Sequence, residues 1–139
     1  YLASFNETAD RSAHDAVAAK LEAATAVTTA ASTGARIYQG ACAVCHEVGG
    51  PPLFGTRPSL ALNSNLHSDA PDNLIQVILH GIAKPAMTDL GYMPAFKDSM
   101  SDGQVAELAS FLRRQFAPGK PAWTDVAATV GRIRQTIAR

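Results

Sequence analysis

The sequence predicts an all-α fold, and three observations carry that expectation. Apolar residues recur at helical spacing in several stretches. Capping residues stand just ahead of those stretches. No segment of comparable strength alternates apolar and polar side chains as a half-buried strand would.

Taken in order, Ser12 with Asp15 is a helix start, and Val17, Leu21 and Ala24 fall at roughly helical spacing. A helix is expected over 12–24, followed by a Thr-rich linker of weak helix formers. Ser32 or Thr33 can cap a second helix over 33–42, with Ile37 and Tyr38 apolar. Residues 46–70 hold Gly49, Gly50, Pro51, Pro52, Gly55 and Pro58, a density that forbids a long element. So long a loop in a compact domain points to function or to a bound group that organises it. Ser68 or Asp69 followed by Pro71 opens a helix over 71–82, with Leu74, Ile75, Ile78, Leu79 and Ile82 on one face. A second irregular stretch covers 83–99. Ser101 and Gln104 form a capping box, and Met100 and Val105 stand at the staple positions around it. The helix that follows spans 102–116, with Val105, Leu108, Phe111 and Leu112 inward. Thr124 caps a last helix over 125–138, striped by Val126, Val130, Ile133 and Ile137.

At 139 residues the chain suits one domain. Of its apolar residues 26 are Ala and 2 are Cys, which leaves 37 Leu, Ile, Val, Met, Phe, Tyr and Trp. Such a chain looks short of core, since burial stabilises in proportion to apolar area. Twelve basic residues balance twelve acidic ones, so no nucleic-acid footprint stands out. No apolar run approaches the length of a membrane-spanning helix. Two Cys exclude a multi-disulfide scaffold. The chain opens at Tyr1 without a basic-then-apolar leader, as expected of a processed or excised chain. Charge is uneven: Arg113, Arg114, Lys120, Arg132, Arg134 and Arg139 face only Asp125 beyond residue 110. Two readings are open, a solvated basic face or a docking surface for an acidic partner or anionic headgroups.

Cys42-Ala43-Val44-Cys45-His46 is the motif that carries chemistry. Cys-x-x-Cys-His is the attachment pattern of c-type haem. Two thiols add to the two vinyl groups of the porphyrin, and one turn of helix sets their separation. The imidazole beside the second Cys then ligates iron, so His46 is the expected proximal ligand. Other readings remain: a redox dithiol, which expects a βαβ setting, or half a zinc site completed by His67 or His80. For the opposite side of the iron the candidates are Met87, Met93 and Met100. Met100 is accounted for by its staple position. Met93 precedes Pro94, which biases it to an extended backbone and suits a thioether held on a loop. Met coordination raises the reduction potential and suits electron transfer. His14, His67 and His80 are competing imidazoles.

On these residues the sequence resembles a class I cytochrome c over residues 34–116. Gly34 and Tyr38 precede Cys42 where the family places a Gly and an aromatic on its N-terminal helix. Ala106-Glu107-Leu108-Ala109-Ser110-Phe111-Leu112 resembles its C-terminal helix, and Met93-Pro94-Ala95-Phe96 its axial methionine loop. The resemblance implies that Gly34 and Tyr38 cross Leu108 and Phe111. It implies that the Pro58 carbonyl orients His46, and that Tyr38, Pro58, Leu60, Pro94 and Phe96 border the haem. Met93-Pro94-Ala95-Phe96-Lys97-Asp98 leading into Ser101-Asp102-Gly103-Gln104 looks like the last haem domain of multihaem cytochrome subunits. Those subunits serve bacterial periplasmic dehydrogenases for alcohols, aldehydes, gluconate or nicotinate. Tyr1-Leu2-Ala3-Ser4 resembles the end of a preceding cytochrome domain.

The expectation is therefore a class I cytochrome c fold around one covalent haem c, held by Cys42 and Cys45, with His46 and Met93 axial. Residues 1–31 are a linker, 32–117 the cytochrome domain, and 118–139 an amphipathic helical extension. The domain is not itself an enzyme. It relays electrons from a dehydrogenase or a neighbouring haem to a quinone or oxidase, in the periplasm or on the periplasmic face of the membrane. Peripheral membrane association is compatible with it. The alternative is a haem sensor or catalyst whose Met ligand is displaced by a small molecule. Ala43, Val44 and Pro94 would flank the electron port, and the haem itself supplies the core that the composition lacks.

Overall fold

The computed structural model describes residues 16–17, 20, 32–47, 59–84 and 92–137. Residues 16, 17 and 20 are helical, as expected of 12–24. The rest of that stretch, His14, Pro58 and Met87 lie outside the described residues.

Helix α1 (Thr33–Ile37) starts where Ser32 Oγ accepts from the Ala35 N–H at 3.2 Å. It does not stop at residue 42. It widens into a π turn (Tyr38–Cys42) and resumes as α2 (Ala43–His46), the Ala43 N–H reaching back to the Tyr38 carbonyl. π turns of this kind gather at functional sites, and this one ends on the first Cys of the motif. The irregular span expected at 46–70 holds a 3₁₀ turn (Leu60–Leu62) and a short helix α3 (Ser64–His67). Asn63 caps α3 by accepting from the Asn65 N–H at 2.9 Å.

Helix α4 (Asp72–His80) is shorter than 71–82 at both ends. Pro71 is its N-cap, and Gly81 ends it at φ 65°, a left-handed conformation that costs glycine least. Ile82 therefore leaves the helical face and is exposed. Its backbone pairs instead with Met93, in both directions, at 2.8 and 3.0 Å. Helix α5 (Asp102–Phe116) carries both bonds of the expected capping box. Val105, Leu108, Phe111 and Leu112 are buried, together with Ala109 and Phe116. Helix α6 (Val126–Ile137) begins after Asp125 and buries Val126, Val130 and Ile133. Among the described residues there is no strand beyond the Ile82–Met93 bridge.

Helix α1 lies across α5 at very short range. A Cβ on Gly34 would come 2.6 Å from the Phe111 Cβ and collide with the Glu107 carbonyl. Tyr38, fully buried, packs its ring 5.6 Å from those of both Phe111 and Phe116. The expected crossing of Gly34 and Tyr38 onto Phe111 is present, with Glu107 and Phe116 as the further contacts. Helix α6 packs on α4 and α5 as part of the same apolar cluster. Arg132 pairs with Asp72 of α4 at 2.5 Å, and Arg134 with Asp102 of α5 at 2.6 Å.

One expectation about charge is corrected. Arg113 is not on a solvated basic face, because only 2% of its surface is exposed. Its guanidinium donates to the carbonyls of Leu66, Ser68 (2.9 Å) and Pro121 (3.0 Å) and stacks 4.4 Å from the Trp123 ring. It joins α5 to the α3 segment and to the strap leading into α6. Arg132 and Arg134 make ion pairs, although Arg132 stays exposed, as do Arg114 and Lys120; Arg139 lies outside the described residues.

Two stability changes should follow. Gly34→Ala forces α1 away from α5 and should cost about 1–3 kcal/mol in denaturant unfolding. Arg113→Met should cost at least about 3 kcal/mol, since several buried carbonyls lose their donor at once. Lys at 113 should recover only part of that, for lack of the planar fork. Wild-type stability in either Gly34→Ala or Arg113→Met would contradict the packing described.

Candidate functional site

The helices leave a narrow, mostly apolar cleft, partly open to solvent. Cys42 and His46 line one side, brought there by the π turn and α2. Met93 and Phe96 line it from the segment after α4. Leu60, Leu74, Val77, Ile78, Leu108 and Leu112 supply apolar walls, and Asn63 and Asn65 the polar part of the rim.

Met93 is aimed by its backbone. Pairing with Ile82 uses both its N–H and its carbonyl, and neighbours on an extended segment point to opposite sides. Tyr92 and Pro94 are accordingly exposed while Met93 lines the cleft. The segment is then stitched to the end of α4, where the Phe96 N–H donates to the Ile78 carbonyl at 3.0 Å. The Lys97 N–H donates to the Leu79 carbonyl at 3.1 Å. These bonds satisfy carbonyls that a helix end leaves over. Gly81 makes the approach possible, for a Cβ there would sit 2.7 Å from the Pro94 carbonyl carbon.

Of the residues singled out from sequence, Cys42, His46, Leu60, Met93 and Phe96 share the cleft. Cys45, half-buried, is one helical turn on from Cys42 and is not part of the lining. Tyr38 stands behind the cleft, between α1 and α5, rather than in its wall. Pro94 is exposed beside it. Ala43, expected at an exposed edge, is buried, and Val44 is the exposed residue between the two Cys. Sequence reasoning placed Leu74 on the apolar helix face without assigning it to the cleft, and missed Val77, Asn63 and Asn65; Val77 stands three residues after Leu74, in helical phase with it.

Among the competing imidazoles, His67 donates through Nε2 to the Ala61 carbonyl at 2.9 Å. His80 Nε2 is buried without a hydrogen-bond partner, but His80 does not line the cleft. Met100 packs against the core at the staple position expected of it.

The chemistry of the cleft discriminates among the readings of the Cys pair. Both thiols are free. Burial pushes the Cys42 thiol up to about 11, and the nearby Cys45 adds to the rise. Redox-active cysteines show the opposite, a lowered pKa. Among the described residues no three His, Cys, Asp or Glu side chains gather as a metal site. An apolar cleft lined by the Cys42 thiol, the His46 imidazole and the Met93 thioether, with Cys45 one turn away, suits an apolar group carrying iron. His46 and Met93 could serve such an iron as donors, and Cys42 and Cys45 could serve as thiols for covalent attachment.

Comparison with known proteins agrees. The family described as cytochrome C oxidase, cbb3-type, subunit III matches residues 29–112. A nicotinate dehydrogenase subunit of Pseudomonas putida is 59% identical over 104 residues, covering 74% of this chain and 9% of that protein. The cytochrome c subunit of the quinone-dependent alcohol dehydrogenase of Gluconacetobacter polyoxogenes is 32% identical, covering 78% of this chain and 24% of its own. The gluconate 2-dehydrogenase cytochrome c subunit of Pantoea cypripedii is also 32% identical, with 74% and 24% covered. The chain thus spans from 9% to 24% of the length of these relatives. With well over half its residues matched and the Cys-x-x-Cys-His motif at the cleft, the chain belongs to this family of cytochrome c domains.

Proposed function

We propose that the chain transfers electrons through one covalently attached haem c, with Cys42 and Cys45 as thioether anchors and His46 and Met93 as axial ligands. The observation that carries this is the convergence of Cys42, His46 and Met93 on a single apolar cleft. Haem iron supplies the one-electron chemistry when bound; the protein supplies ligands, burial and orientation. A thioether on the iron raises the potential, and the apolar walls from Leu60, Leu74, Ile78, Leu108 and Leu112 keep water from it. With both axial positions taken, substrate has no place on the metal, so the domain carries electrons and does not itself transform a substrate.

The similar proteins are dehydrogenase subunits by name, which supports a dehydrogenase or a neighbouring haem as donor and a quinone or oxidase as acceptor. The periplasm, or the periplasmic face of the cytoplasmic membrane, is the compartment that fits. In bacterial proteins of this kind haem is attached outside that membrane. No helix among the described residues is long and apolar enough to cross a membrane. We read 1–31 as a linker, 32–117 as the cytochrome domain, and 118–139 as an extension packed on it. Electrons would enter or leave beside exposed Val44 and Pro94.

The ligand assignment is tested by absorption spectra of the oxidised protein. Met93→Leu should abolish the iron–thioether charge-transfer band and lower the reduction potential, while Met87→Leu should change neither. A band that survives Met93→Leu and disappears in Met87→Leu would reverse the assignment. Reduced wild-type protein should bind carbon monoxide slowly and weakly; rapid, tight binding would favour a displaceable ligand and a sensing or catalytic role.

A further inference from the structure

Helix α6 lies beyond the part of the chain that the family shares, residues 29–112, yet it reaches the segment that carries Met93. Arg134 is the contact. Its Nε donates to the Asp102 carboxylate at 2.6 Å, its Nη2 to the Met100 carbonyl at 2.9 Å, and its Nη1 to the Lys97 carbonyl. Two of these three acceptors belong to the Met93–Ser101 segment itself. Lys97 is consequently held from both sides, its N–H donating to Leu79 at the end of α4 and its carbonyl accepting from Arg134 of α6. Met100 is held the same way, its N–H on the Phe96 carbonyl and its carbonyl on Arg134.

The other α6 ion pair behaves differently. Arg132–Asp72 joins α6 to α4 through side chains 60% and 38% exposed, against 31% and 44% for Arg134–Asp102, and among the described residues the Arg132 side chain donates to Asp72 and not to the Met93 segment. An exposed pair of that kind contributes little. The buried stripe Val126, Val130 and Ile133 already fixes α6 on the domain. The planar fork of Arg134 thus does something the packing of α6 does not require: it ties off the far end of a segment whose near end is pinned at Ile82 and Gly81.

We propose that Arg134 is a positioning residue for the Met93 ligand, clamping the Lys97 and Met100 carbonyls so that the thioether stays in the cleft. The proposal rests on Met93 being the axial ligand. It makes the C-terminal extension a lock on the redox centre, and it assigns to one guanidinium control over how readily another ligand displaces the methionine.

The test uses the haem-loaded full chain and two readouts. The first is amide hydrogen exchange at Met93, Phe96 and Lys97. The second is the affinity of the oxidised protein for added imidazole, which must displace the thioether. Arg134→Leu should speed exchange and tighten imidazole binding, each about tenfold, the lower range for hydrogen bonds to a charged group. Arg134→Lys, which keeps the charge but not the fork, should fall between. Arg132→Leu should change neither. Equal effects from Arg132→Leu and Arg134→Leu, or a folded Arg134 variant with unchanged exchange and imidazole affinity, would overturn the proposal. Should Arg134→Leu not accumulate, Arg134→Lys against Arg132→Leu decides it on the same readouts. Faster exchange at Met93 in a protein whose charge-transfer band survives Met93→Leu would leave the clamp standing and remove the ligand reading instead.

Discussion

The cleft between Cys42–His46 and Met93–Phe96 is the constraint on which the rest of the molecule depends. Protein interiors are close-packed, and a helical chain this rich in alanine has no side chains to spare for that space. The helices line it with apolar side chains and leave it partly open to solvent. Gly34 lets α1 press against α5, which sets one wall. The Ile82–Met93 pair and the two N–H bonds from Phe96 and Lys97 onto α4 set the other. A haem bound there would complete the core, with His46 and Met93 as the side chains that could hold its iron.

Much of the frame was legible because its determinants are local. The capping box of Ser101 and Gln104 places the start of α5 to the residue, and the stripe Val105, Leu108, Phe111 and Leu112 gives its buried face. The Cys-x-x-Cys-His motif is equally local, and Pro94 marks the methionine beside it. The misreadings arise where a local pattern continues past the element that made it. Ile82 keeps the four-residue spacing from Ile78, but Gly81 at positive φ has already turned the chain, so Ile82 serves as a backbone partner for Met93.

Arg113 shows the limit of counting charge along a chain. Position alone groups it with a basic terminal region, although it stands four residues after Ala109 and eight after Val105, in phase with the buried face. Only the fold reveals that three carbonyls and the Trp123 ring await it there. The same holds for α6. Its apolar stripe is evident in the sequence, but its destination is not, and its two arginines turn out to bridge to α4 and α5. Part of the apparent excess of positive charge is committed within the fold, through buried Arg113 and the ion pairs of Arg132 and Arg134.

The central claim is that a haem, bound through Cys42 and Cys45, occupies the cleft and supplies the missing core. Intact-mass measurement of the protein, purified from a host that attaches haem to such motifs and then denatured, tests it most directly. The account predicts the mass of the chain plus one haem, with neither thiol open to alkylation. An unmodified chain mass with both thiols alkylated, from a protein that nonetheless unfolds cooperatively, would contradict it.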